Sequence, residues 1–179
     1  WTVSGVGSKI VIGDGANPIN FTIPASYALT TSGSVVIDVK NAATLTIRNV
    51  TSPSLGSIAN GSLIVYNGTE SQIIKAADYY NLTISGDRGG ATIILEPGTI
   101  LVSNVFNVNG LSNYTIAATR NTFVFDGTGN QDIPAFTYYN LNTEMGGTKT
   151  LAGTGAITVL NKLRVGNISI LNGADKVLN

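Results

Sequence analysis

The chain has 179 residues, ten Lys plus Arg against ten Asp plus Glu, no His, no Cys, and a charged share of only 11%. Balanced charge leaves no basic stripe for a phosphate backbone, so nucleic acid is not expected as a partner. Without Cys or His there are no disulfides, and Ser-His-Asp, Cys-His, thiolate and imidazole-metal chemistry are excluded within this segment.

Gly (21) is matched by similarly abundant Thr and Asn, and Val and Ile carry much of the apolar share. β-Branched side chains suit a pleated surface, while Gly and Asn suit turns, so an all-β fold is expected. In chain order, Trp1 opens a strand-like run within a divergent N-terminal portion, 1–62. Short apolar strands then recur at Leu45–Ile47, Leu63–Tyr66, Leu82–Ile84, Ile100–Val102, Phe123–Phe125, Leu141–Thr143 and Ile157–Val159. Ile73–Tyr80 has near-helical spacing but no cap, and reads as a loop or twisted strand. Asp175–Asn179 ends as another strand begins, and both termini read as cut ends. No apolar run approaches the ~20 residues of a membrane helix, and no membrane insertion is expected.

Self-similarity is the strongest signal. Residues 66–82 align without a gap on 125–141, an offset of 59. Gly68, Thr69, Gln72, Ile74 and Ala76 recur as Gly127, Thr128, Gln131, Ile133 and Ala135. The block Tyr79, Tyr80, Asn81, Leu82 recurs as Tyr138, Tyr139, Asn140, Leu141. After a two-residue deletion the match resumes, 98–108 on 155–165, and Asn104 falls on Asn161. One continuous array over 1–179 is expected, with long repeats at about 63–122 and 123–179.

Strand steps of mostly 16 to 20 residues put three coils in each long repeat, hence a parallel β-solenoid of about nine coils. Tandem antiparallel β-sandwiches are the alternative architecture. In the solenoid, Gly residues at 68, 86, 98, 110, 127, 147, 155 and 166 become corners. Asn104 and Asn161 become inward amides bonded to backbone of the coil above. Asp87-Arg88 and Glu144-Met145 break the pattern and are expected to disturb stacking.

The 79–86 block, the Asn/Asp-Gly-Thr-x-x-Gln-x-Ile segments (67–74 and 126–133) and residues 146–153 resemble repeats of very long Bacteroidota surface proteins, as does the N-terminal segment 1–15. The resemblance implies a segment of a giant adhesin or filament exported to the cell surface, in some cases by type IX secretion and with a link to gliding. It brings no catalytic or ligand residues. The expectation is therefore an extracellular, non-enzymatic shaft segment without cofactors. Its partners would be neighbouring segments of the same long chain or identical subunits, with surface glycans as a further candidate. A discrete self-assembling filament subunit is the alternative, and a carbohydrate-binding or carbohydrate-cleaving β-helix the third reading.

Three smaller signals point to structure more than to chemistry. Asp126, Asn130 and Asp132 space their oxygens like a weak Ca²⁺ loop, but the sister segment has Asn67, Ser71 and Ile73 there. Thr44-Leu45-Thr46 and Thr148-Lys149-Thr150 do not recur coil by coil, as an ice-ordering ladder requires. Of each tyrosine pair, one ring is expected to fill the core and one to shield it, although the outer ring is also a sugar platform in principle. Asn-x-Ser/Thr triplets at 20, 49, 60, 67, 81, 113 and 167 follow from composition.

Overall fold

The computed structural model describes residues 2–5, 7–26, 29–32, 35–118 and 120–173. The strand expected at Asp175–Asn179, and Trp1 itself, lie outside them. The described residues contain strands and no helix, so none is long and apolar enough to cross a membrane. The strands are β1 (Thr2–Ser4), β2 (Lys9–Ile12), β3 (Ile19–Ile23), β4 (Thr30–Ser32), β5 (Val36–Val39), β6 (Ala43–Ile47) and β7 (Leu55–Ile58). There follow β8 (Leu63–Tyr66), β9 (Gln72–Ile74), β10 (Asp78–Ile84), β11 (Gly86–Asp87), β12 (Thr92–Leu95), β13 (Gly98–Asn107) and β14 (Leu111–Ser112). The last are β15 (Thr115–Ala118), β16 (Asn121–Phe125), β17 (Gln131–Ile133), β18 (Thr137–Thr143), β19 (Thr148–Leu151), β20 (Thr158–Val165) and β21 (Ile170–Asn172).

Eight strands form one sheet in the order β3-β6-β8-β10-β13-β16-β18-β20, every neighbour parallel. Parallel neighbours require a return path, and short side strands supply it in three-stranded sheets: β2-β5-β7, β9-β12-β15 and β17-β19-β21. Each side strand except β21 is followed by the next main-sheet strand. β9 and β17, one long repeat apart, each begin a new side sheet. This is a parallel β-solenoid and not a sandwich. It has about seven turns and not nine, because partners such as Ile23 and Ile47, or Val102 and Phe125, enclose turns longer than the strand steps.

The core is built by like side chains stacking from turn to turn. Leu45, Ile64, Leu82 and Phe106 are in register and buried, as are Ile100, Phe123 and Leu141. Between them, Thr44 and Thr46 point outward and are half exposed. The seven recurrent apolar segments all fall in or against this one sheet.

The stack also steps sideways. β10 meets β8 along Asn81–Ile84 but meets β13 from Asp78 onward, and β13 meets β16 only along Gly98–Val102. A bulge lies at the step: Tyr79 pairs Val102 while Asn81 pairs Val105. The same bulge recurs at β18 and β20, where Tyr138 pairs Val159 and Asn140 pairs Lys162. The extra residue belongs to β13 and β20, between Val102 and Val105 and between Val159 and Lys162. Opposite the first, Tyr79 and Leu82 are both buried although three residues apart, so Tyr80 and Asn81 both lie on the outer side.

Stacking continues through both places where the sequence pattern breaks. Asp87 pairs Ser112 in β11-β14, and the Glu144 N–H donates to the Phe125 carbonyl at 2.9 Å. The expected disturbance at Asp87-Arg88 and Glu144-Met145 does not occur. Met145 adopts φ 61° and Arg88 turns inward, so the turns absorb the irregularity.

Candidate functional site

The repeated Gly-Thr-x-x-Gln segments form an inter-coil clip. Gln72 Nε2 donates to the Ile47 and Asn49 carbonyls of the preceding coil at 3.0 and 2.9 Å, while its Oε1 accepts from Gly68 N at 3.0 Å. Gln131 repeats this on Val102, Asn104 and Gly127 at 2.9 Å each. Gly68 and Gly127 are needed for close approach. A Cβ there would press on the Arg48 or Ser103 carbonyl and sit 2.8 Å from the glutamine Cδ.

A buried cation covers each clip. Arg88 donates to Gln72 Oε1 at 2.6 Å and to the Tyr66 and Ser85 carbonyls at 2.9 and 3.0 Å. Lys149, in register with Gln131, donates to the Gly127 and Gly129 carbonyls at 2.6 and 3.0 Å. Neither forms a carboxylate ion pair among the described residues; burial lowers the pKa of both, and Asp126 opposes the shift at Lys149. Sequence reading missed these two cations. A lone Arg after a short strand, or a lone Lys between two threonines, looks solvated, and nothing local marks it as buried.

In the Tyr-Tyr-Asn-Leu block, Tyr79 and Tyr138 fill the core and donate to the Lys75 and Pro134 carbonyls at 2.7 and 2.9 Å. Leu82 and Leu141 are fully buried. Asn81 and Asn140 reach back to the Ser62 and Asn121 carbonyls at 2.9 and 3.1 Å. Asn104 and Asn161 are not inward amides. The bulge turns them to solvent, where each donates to the side chain of the preceding asparagine, Asn81 or Asn140, at 2.7 Å. Tyr80 and Tyr139 face outward and are half buried. Only Tyr139 packs partly against the core cluster.

Beside Tyr80 the first sideways step leaves a cleft of about 120 Å³, lined by Asn60, Asp78, Tyr80, Leu101, Ser103 and Asp126 among others. Among the described residues Asp126 Oδ1 is buried without a hydrogen-bond partner, and so is Oδ1 of its repeat equivalent Asn67. Burial first, then the Asp78 and Glu144 carboxylates, push the Asp126 carboxyl above the usual carboxylate range. The Ca²⁺-like triplet is dispersed. Asp126 faces this cleft, Asn130 Oδ1 accepts from Thr148 N at 2.9 Å, and Asp132 lines a separate cleft of about 640 Å³ near Val105.

Asp78 on β10 and Asp126, just after β16, thus lie on alternate coils at one corner, with β13 between them. Sequence spacing could not show it, because Asp78 and Asp126 meet only through the sideways step. No protein-family model, curated protein or solved structure matches the chain.

Proposed function

We propose that this chain is a shaft segment of a large extracellular adhesin or surface filament. The observation that carries the reading is propagation. A turn built from the same parts, with the glutamine clip, the tyrosine block and the bulge, recurs one long repeat later on the same continuous core. Such an array lengthens by adding turns that each contact only their neighbours, which suits a spacer presenting another element at a distance. The Bacteroidota surface-repeat resemblance of residues 67–86 and 126–133 supports the same reading.

The test is the denatured mass of the native polypeptide, detected in a surface fraction with an antibody against this chain. A mass many times 18.5 kDa is expected. A mass near that value overturns the shaft and leaves a self-assembling filament subunit.

A further inference from the structure

Of the four residues repeated identically in the tyrosine block, three are explained by the fold: the first tyrosine and the leucine by the core, the asparagine by its backbone bond. The second tyrosine is not. The Tyr80 hydroxyl makes no hydrogen bond among the described residues, and this half-buried residue lines the cleft at the bulge. Bulges commonly re-aim side chains at functional places.

We propose that the Tyr80 cleft binds the edge of a neutral pyranose. The cleft offers Tyr80 together with polar groups that can accept, namely the exposed Asp78 and Asn60 and the half-buried Asp126. A sugar ring presents the complement, with an apolar C–H face for the ring and hydroxyl donors along one edge. Two carboxylates disfavour uronic and sialic acids. The volume admits a ring edge and not a buried oligosaccharide, so single-site affinity is weak and strength comes from many copies along a shaft. The second bulge is a poorer copy, with Thr137 in place of Asp78, Leu160 in place of Ser103 and Tyr139 packed partly on the core. This deepens the adhesive part of the proposed function and is independent of the shaft's length.

The experiment is an NMR titration of the 179-residue chain with labelled tyrosine rings. The probes are methyl β-galactopyranoside, methyl α-mannopyranoside and methyl β-glucopyranoside, with glucuronate as the anionic control. At least one neutral glycoside should shift the Tyr80 resonances saturably at millimolar concentration, and glucuronate should not. Tyr80→Leu should weaken binding about fivefold, the loss of one stacking contact, as read from the remaining cleft resonances. Asp78→Asn should weaken it less, and Tyr139→Leu should leave it within about twofold. Unchanged methyl spectra establish that each variant is folded. The proposal falls if no glycoside produces a shift, or if folded Tyr80→Leu binds like the parent. A short native mass would overturn the shaft and leave this binding intact, whereas absent shifts would do the reverse.

Discussion

Replacing the two clip glutamines by leucine should cost unequal amounts, and the inequality can be worked from the hydrogen bonds. In Gln131→Leu the Gly127 N–H loses its acceptor in a buried place and the Asn104 carbonyl loses a donor in a partly exposed one. The Val102 carbonyl keeps the Asp126 N–H at 3.2 Å. At about 1–3 kcal/mol per buried orphan, less where water reaches, the change costs about 2–4 kcal/mol. Gln72→Leu orphans the Gly68 N–H and the Asn49 carbonyl, both at buried bonds, and also strips Arg88 of its side-chain acceptor. Losing a partner of a buried charge is dearer, so about 3–6 kcal/mol is expected. Against a typical total of about 5–15 kcal/mol this is large. Arg88→Met in the Gln72→Leu background should recover part of the loss, since it removes the buried charge. Urea unfolding followed by far-UV circular dichroism, paired with hydrogen exchange because arrays need not unfold in one step, measures these differences. The reasoning is refuted if Gln72→Leu costs under about 1 kcal/mol, or if Gln131→Leu costs more than Gln72→Leu.

The two repeats also correct one another. Asn121 is buried with both amide atoms unpaired among the described residues, whereas its equivalent Ser62 donates to the Ala59 carbonyl at 2.6 Å; Asn121→Ser should raise stability by about 1–2 kcal/mol, seen as a higher Tm. Arg120 sits at φ 58° where the sister copy has Gly61 at 82°, so Arg120→Gly should stabilise by up to about 1 kcal/mol in the same melts. Gly68→Ala and Gly127→Ala should both be strongly destabilising because the new Cβ meets backbone carbonyl, while Gly129→Ala, with open space around it, should be near neutral. Asp126→Asn adopts the residue of the sister copy. Because folding raises the Asp126 carboxyl pKa, its contribution to stability is fully present below the unfolded value of 3.8 and is lost as pH rises through the folded value. The variant should therefore be the more stable near neutral pH and lack that pH dependence in parallel urea titrations.

The alternation of apolar and polar residues in segments such as Thr44–Ile47 and Leu82–Ile84, and the ungapped match of 66–82 on 125–141, already specified short strands in a repeating parallel stack. Both signals are local, since the pleat has period two and a repeated turn repeats its residues. The sequence also identified Gln72, Gln131 and the tyrosine block as repeated, without saying what they do. Which strand lies over which depends on turn lengths and on a bulge that breaks the period at Tyr80 and Tyr139, and no pairwise residue pattern encodes a sideways step. For that reason only the tertiary structure decided that Asn104 and Asn161 face solvent, that Arg88 and Lys149 are buried over the clips, and that Asp78 and Asp126, far apart in the chain, share one cleft beside Tyr80.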